Sequence, residues 1–263
     1  MTSPTTSLTK EQIAAFHREG YLVLDAITAQ EEVERLRLIY DRLFSDKIGW
    51  ASGNQFDLAG TDEGDQATLP QILGPSQYAP ELKETRYLRN AQGMARELLG
   101  EEMLPRNGEH MIYKPPGIGA ATPWHQDQAY HDPTIRAYGV NFWMPLDDAT
   151  VESGCLHFVP GSHKLDVLPH HSINHDPRIH GLEVDDPEKW ASKGIACPVP
   201  AGGATLHAAF MLHYAGPNRT DQSRRAYTLA FRLPPDQRET PIDNYWSRNQ
   251  QTARAERAQQ ANR

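Results

Sequence analysis

From about residue 106 the hydrophobic period of this chain changes from helical to alternating, and that change constrains its fold more than any other feature. Candidate strands are Glu109–Lys114, Ala121–Gln128, Gly139–Pro145, Cys155–Pro160, Gly194–Val199, Ala204–Ala208, Leu212–Ala215 and Ala226–Leu233. Pro115-Pro116-Gly117, Gly161-Ser162 and Ala201-Gly202-Gly203 punctuate them as turns. Several short strands after a helical start predict a helix-flanked β-barrel or sandwich. No internal repeat is visible. With 263 residues, 38% of them hydrophobic, the chain has ample material for one core, and a single domain over 1–263 is expected.

The first hundred residues read as a mainly helical flank. Thr9-Lys10-Glu11-Gln12 has the pattern of a capping box, Ile13, Phe16 and His17 keep helical spacing, and Gly20 is placed to end the helix. Tyr21–Leu24 reads as a short strand. Thr28-Ala29-Gln30-Glu31 reads as a second capping box, opening a helix whose stripe of Val33, Leu36, Ile39, Tyr40 and Leu43 is core packing. Arg86–Leu99 is helical again, with Leu88, Ala91, Met94, Ala95 and Leu98 on one side and Gly100 as its stop. Between them, residues 50–80 form a polar, glycine-rich run (Ser52, Gly53, Asn54, Asp57, Gly60, Asp62, Gly64, Asp65), which is expected to be a long connection, either a bland loop or a lid. Residues 106–235 would form the β core, with 164–193 as an insertion between strands. The polar tail 237–263 would be a peripheral helix or a disordered end.

Composition removes several classes of function. The formal net charge is −8, and the isoelectric point of about 5.8 argues against nucleic acid or an anionic membrane as partner. No apolar run approaches the roughly 18 residues of a membrane span. Met1-Thr2-Ser3-Pro4 lacks the basic and apolar regions of a secretion signal. The two unclustered cysteines, Cys155 and Cys197, fit a reduced protein better than a disulfide framework, so a cytoplasmic location is expected.

The chemistry points to Trp124-His125-Gln126-Asp127. On an extended backbone a histidine and a carboxylate two residues apart project from one face, so both can reach one cation. His-x-Asp recurs by chance, and a metal site needs a further neutral imidazole. His207 and His213 are the candidates. Two histidines and one carboxylate would form a facial triad with open coordination positions, which suits non-haem Fe(II) oxygen chemistry. His213 precedes a turn and a returning strand that begins Arg224-Arg225-Ala226. One of those arginines would lie near the metal, where a chelating dicarboxylate needs a guanidinium for its far end. Alternation sends the two arginines to opposite faces.

These residues, together with Leu8-Thr9-Lys10-Glu11-Gln12, Gly20-Tyr21, Lys114-Pro115-Pro116-Gly117, Gly154-Cys155-Leu156 and Pro160-Gly161-Ser162-His163-Lys164, resemble the phytanoyl-CoA dioxygenase family over nearly the whole chain. That family is a branch of the Fe(II)/2-oxoglutarate-dependent oxygenases. The resemblance implies a mainly β fold with flanking helices around a double-stranded β-helix, the jelly-roll or cupin-like core. It implies His125, Asp127 and His213 as iron ligands and Arg224 as partner of the distal 2-oxoglutarate carboxylate. Trp143, His110 and Lys114 would contribute to the cosubstrate pocket. Tyr130, His131 and His207 are candidate substrate contacts, while His157 and His163 are expected to be structural. One departure stands out: Tyr214-Ala215 occupies the place of a Gly-Ser pair in many relatives, so that polar contact to the cosubstrate must come from elsewhere or be absent.

The implied reaction couples oxidative decarboxylation of 2-oxoglutarate by dioxygen to oxidation of an unactivated C–H bond, releasing succinate and carbon dioxide. The presence of Asp127, in place of the small residue of halogenating relatives, favours hydroxylation. Desaturation, ring formation and epimerisation use the same ligands. A non-redox cupin-like metal-binding protein or hydrolase would need the triad but not Arg224. The substrate is expected to be a small metabolite, with selectivity in segments 50–80 and 164–193. The sequence is silent on the oligomeric state.

Overall fold

The computed structural model describes residues 3–64, 66–105 and 108–262. Of the positions singled out above, Met1, Thr2, Asp65 and the last tail residue, Arg263, lie outside them. Two antiparallel sheets face each other. The larger is ordered β1 (Tyr21–Leu24), β12 (Ala204–Ala208), β7 (Gly139–Pro145), β14 (Arg224–Arg232), β4 (Gly108–Lys114), β3 (Pro70–Leu73) and β2 (Gln55–Asp57). The smaller is ordered β11 (Ile195–Cys197), β8 (Leu156–Phe158), β13 (His213–Ala215) and β5 (Thr122–His125). Two-stranded ribbons, β9 (His170–Ser172) with β10 (Leu182–Val184) and β6 (Ile135–Arg136) with β15 (Asp236–Gln237), complete the β structure of the described residues.

Alternation along the central strands explains why both faces of the large sheet are covered. Tyr227, Leu229 and Phe231 of β14, with Phe142 and Met144 of β7, are buried against the helices α1 (Lys10–Glu19), α2 (Gln30–Ser45) and α3 (Arg86–Leu99). The other face of the same strands carries Arg224, Thr228, Arg232, Asn141 and Trp143 towards the small sheet, where the cavity lies. The expected stripe Val33, Leu36, Ile39, Tyr40 and Leu43 is buried on α2, and α3 spans Arg86–Leu99 with Ala91, Met94, Ala95 and Leu98 buried and Leu88 packed at the margin. Thr9 caps α1 in the expected reciprocal box, and Gly20 closes it in the left-handed region at φ 87°.

Two expectations change, and a third, on the tail, resolves to its helical alternative. Helix α2 begins at Gln30 with Ala29 as an N-cap that makes no side-chain bond. Thr28 instead donates from Oγ1 to Glu32 at 2.6 Å. The buried Glu32 carboxylate also accepts the backbone N–H groups of Arg86 and Tyr87 at 2.8 and 2.9 Å, so its role is to cap α3. Segment 50–80 is not an unstructured connection, because β2 and β3 lie in it and extend the edge of the large sheet. Asp57 accepts backbone N–H groups from Ala59, Thr68 and Leu69, which ties the intervening turn to the sheet. The tail, finally, is bound into the fold. Its two helices are α5 (Tyr245–Arg248) and α6 (Ala253–Ala261), which follow α4 (Glu188–Ala191) of the 164–193 insertion. Trp246 is buried and donates to the Ala129 carbonyl at 3.0 Å, while Arg257 stacks on Trp50 and reaches Asp62 at 2.8 Å.

Candidate metal centre and cosubstrate pocket

Strand register brings the metal-binding side chains together. In the small sheet β13 lies antiparallel to β5 with His213 directly opposite His125, and their rings are 4.2 Å apart between centroids. Strand β5 ends at His125, earlier than the alternation predicted, and a short 3-10 turn from Asp127 swings that carboxylate beside the two rings. Asp127 Oδ1 is then 3.7 Å from His125 Nε2 and 3.8 Å from His213 Nε2. One ligand atom from each of the three residues lies within 4.8 Å of the others.

Local hydrogen bonds fix the orientation of each ligand. His125 Nδ1–H donates to the Pro123 carbonyl at 2.7 Å and His213 Nδ1–H to the Met211 carbonyl at 2.9 Å, so both Nε2 lone pairs face the centre. Burial lowers the pKa of both imidazoles to about 4, leaving them neutral at physiological pH, the form that binds a metal. Burial opposes charge on Asp127, but His213, His207 and His125 hold its carboxyl well below the usual range. Its second oxygen, Oδ2, accepts from Asn141 Nδ2 and from His207 Nε2, the latter at 3.3 Å. Asn141 and His207 are cross-strand partners on β7 and β12. His207, the rival ligand in the sequence, therefore supports the aspartate from behind. Asn141, which stands in a strand with no motif around it, was missed.

Arg224 begins β14 and is 1% exposed, yet its Nε and Nη1 find no hydrogen-bond partner among the described residues. It lies over the Trp143 ring at 5.3 Å and opens into a cavity of about 700 Å³ shared with the three candidate ligands. Burial lowers its pKa to about 10, so it stays cationic at neutral pH. A buried guanidinium without an acceptor is costly in isolation, and a carboxylate is the group that would satisfy it. Its neighbour Arg225 faces the other way, paired to Asp147 at 2.9 Å and Asp41 at 2.8 Å.

Trp143, Thr228 and His110 form one cross-strand row over β7, β14 and β4, and all three line the cavity. Thr228 Oγ1 is buried without a partner among the described residues, a polar group available where the Tyr214-Ala215 departure leaves a gap. Tyr130 and His131 also reach the cavity wall; Tyr130 accepts the Leu182 N–H at 2.8 Å. Lys114 corrects its expectation. Its ammonium donates to the carbonyls of Ala120, Ala215 and Gly216 at 2.7, 3.1 and 2.5 Å, and it is absent from the cavity wall. The lysine pins the end of β13, and its partners leave it no donor for a cosubstrate. Gln71, Leu73 and Gln77 from segment 50–80, His180 from the insertion, Arg232 from β14 and Arg254 from the tail also line the wall; the sequence singled out none of these six individually.

Comparison with known proteins agrees with this geometry. The family model "Phytanoyl-CoA dioxygenase (PhyH)" matches residues 16–226. The chain belongs to the phytanoyl-CoA dioxygenase family. A "probable alpha-ketoglutarate-dependent hypophosphite dioxygenase" of Stutzerimonas stutzeri is 26% identical over 228 residues, 84% of this chain and 77% of that protein. Among solved structures, EvdO2 from Micromonospora carbonacea var. aurantiaca is 40% identical with a TM-score of 0.80, covering 94% of this chain and 99% of that one. Its complex with 2-oxoglutarate is 39% identical with a TM-score of 0.77, over 91% and 96%. SnoK, a non-heme alpha ketoglutarate-dependent carbocyclase of nogalamycin biosynthesis, shares the fold at 23% identity and a TM-score of 0.73, over 94% of each chain. The family and the His-Asp-His cluster together make this chain a non-haem Fe(II)- and 2-oxoglutarate-dependent dioxygenase with a cupin-like core. Among the described residues, no helix is long and apolar enough to cross a membrane.

Proposed function

We propose that this dioxygenase hydroxylates an unactivated C–H bond of a small-molecule substrate. In this reading His125, Asp127 and His213 hold Fe(II), and Arg224 pairs with the distal carboxylate of 2-oxoglutarate. The observation that carries it is the buried Arg224 guanidinium, unpartnered and open to the same cavity as a complete facial triad. A metal-storing or hydrolytic protein has no use for that cation. When bound, iron with 2-oxoglutarate and dioxygen supplies the oxidising power for C–H cleavage, with succinate and carbon dioxide as the other products.

The protein's part is orientation. The backbone acceptors Pro123 and Met211 hold the two imidazoles in the tautomer that leaves Nε2 for metal. Asn141 and His207 bind one oxygen of Asp127 and leave the other for the metal. Arg224 and Trp143 define one end of the cavity, and Thr228 offers a hydroxyl beside them. Asp127 would hold the metal at the position that a halide would otherwise need, and its presence favours hydroxylation over halogenation.

The test is an anaerobic titration of the protein with Fe(II) and 2-oxoglutarate, followed by succinate release and product mass in the presence of dioxygen and a substrate panel. A visible charge-transfer absorption that disappears in His213→Ala and weakens in Arg224→Ala is expected, with products heavier by one oxygen. Absorption that is missing in the wild type, or indifferent to both substitutions, refutes the ligand assignment. Products lighter by two hydrogens would refute hydroxylation alone.

A further inference from the structure

The charges of the cavity point beyond the cosubstrate. In the proposed loaded site, the two charges of the metal and that of Arg224 are balanced by the two carboxylates of 2-oxoglutarate and by Asp127. Two more guanidinium groups line the same cavity, those of Arg232 and Arg254. The remaining acid of the wall, Glu109, accepts from the neutral donors Ser76 and Tyr227, and its carboxylate offsets one of these two charges. The protein thus leaves a positive excess lining one cavity, and holding such charge partly out of water without a counterion is unfavourable.

Neither arginine is explained by 2-oxoglutarate. Arg232 stands eight residues from Arg224 on the same face of β14. At about 3.4 Å per residue their Cα atoms are about 27 Å apart, too far for one short dicarboxylate to bridge. Arg232 is 5% exposed; its Nη1 donates to the Phe231 and Val140 carbonyls at 3.0 and 3.4 Å, while its Nε has no partner among the described residues. The backbone makes room for it: a Cβ at Gly139 would meet Arg232 Cδ at 2.5 Å.

Arg254 is brought to the cavity by helix α6. Its guanidinium lies over the Phe56 ring at 4.6 Å, and its buried Nε has no acceptor among the described residues. The acid whose charge acts on it, Asp62, is already paired to Arg257 at 2.8 Å. Phe56, in turn, is packed against His180 of the insertion. The tail is held in place independently of Arg254, by Trp246, by Arg257 and by Gln250, which donates to the His180 carbonyl at 3.0 Å. The arginine is therefore not needed as an anchor, and a flat guanidinium preset on an aromatic ring is a ready partner for a carboxylate or phosphate.

We propose that the substrate of this enzyme is an organic anion and that Arg254 binds its carboxylate or phosphate, with Arg232 supplying a second positive charge from β14. This deepens the oxygenase reading and rests on it. Arg254 is a specificity-determining residue in this assignment. The anion is held by the tail helix while the C–H bond to be oxidised faces the metal.

The experiment uses the full chain saturated with Fe(II) and 2-oxoglutarate under argon, so that Arg224 is already occupied. Benzoate, decanoate and phenyl phosphate are titrated against their neutral counterparts benzamide, decanamide and phenol, by calorimetry and by perturbation of the charge-transfer absorption. Wild type should bind at least one anion more tightly than its neutral counterpart, and the carboxylate and phosphate arms tell which group the site prefers. Arg254→Gln should weaken that anion tenfold or more and leave the neutral compound unchanged, and Arg254→Lys should restore part of the loss. Arg232→Gln should act in the same direction. No preference for any anion, or equal losses for charged and neutral probes in Arg254→Gln, overturns the proposal. The charge-transfer absorption itself should form in Arg254→Gln as in wild type. Its absence from wild type would defeat the oxygenase reading, whereas its presence without anion preference defeats this inference alone.

Discussion

Arg224→Met separates a binding role from a structural one by sign. In the ligand-free protein the Arg224 guanidinium is 1% exposed and two of its nitrogens have no partner. An unsatisfied buried polar group costs about 1–3 kcal/mol, and a charged one more. Methionine, of comparable length and without charge, removes that cost, so the ligand-free variant should be at least as stable as wild type. For a chain of this size about 1 kcal/mol moves the melting temperature by about 2–4 °C, and a rise of up to about 10 °C is within range. Ligand should reverse the order. At a concentration a hundred times its Kd, 2-oxoglutarate stabilises wild type by about 2.7 kcal/mol, an upward shift of about 5–10 °C. Removing one partner of a buried charge pair costs about 3–5 kcal/mol, which raises Kd by roughly two to nearly four orders of magnitude. At the same ligand concentration the variant should then shift by about 1 °C or less. The assay is thermal denaturation with Mn(II) in place of iron, with and without 2-oxoglutarate. Arg225→Met is the control: its side chain is paired to Asp147 and Asp41 on the opposite face, so the ligand shift should persist. A ligand-free Arg224→Met protein that melts well below wild type, or one that keeps the full ligand shift, would refute the reasoning.

Three further outcomes follow from the same structure. Asn141→Ala and His207→Ala should retain metal but bind it about 10–100-fold more weakly, since each removes a hydrogen bond to Asp127 Oδ2; Co(II) titration followed by absorption checks this, and unchanged affinity in both would contradict the support role. Glu32→Ala should lower the unfolding free energy by about 2–3 kcal/mol in urea, because two buried N–H groups at the start of α3 lose their acceptor; a change under about 0.5 kcal/mol would show that the cap is dispensable. His170 is fully buried, donates from Nδ1 to Leu168 O and accepts the Gln126 N–H at Nε2, a pattern open only to the neutral ring. Burial lowers its pKa to about 4, against about 6.5 unfolded. Its contribution is therefore complete above about pH 6.5 and declines as the pH falls towards 4, by about 3 kcal/mol over that window. The difference in pH slope between metal-free wild type and His170→Gln measures it, and parallel curves would contradict it.

What could be read in the sequence follows the range of the interactions. Central strands such as Gly139–Pro145 and Ala204–Ala208 were legible to the residue, because burial on both faces and flanking glycine or proline mark them locally. His125 and Asp127 were legible because two residues of backbone place them. His213 and Arg224 needed the family resemblance, since no local rule says that β13 lies against β5 in the register that sets His213 opposite His125. The same limit hid Asn141 and His207, whose common contact with Asp127 exists only because β12 pairs with β7. Lys114 misled for a related reason. Its position on the strand points inward as expected, but two carbonyls at the end of β13 and one, Ala120, from the loop before β5 fill that space and recognise an ammonium first. Strands β2 and β3 were invisible because they are short, of three and four residues, added at one end of the sheet and recruited by a neighbour and not by their own pattern. The tail is the extreme case. Its helix α6 buries none of its residues, so its sequence carries almost no hydrophobic signal, and what places Arg254 at the cavity is the anchoring of Trp246 and Arg257 to segments far away in the chain. In this enzyme only the His125–Asp127 pair rests on a local pattern; His213, Arg224 and the part of the site proposed to choose the substrate are built from contacts between segments that no local pattern connects.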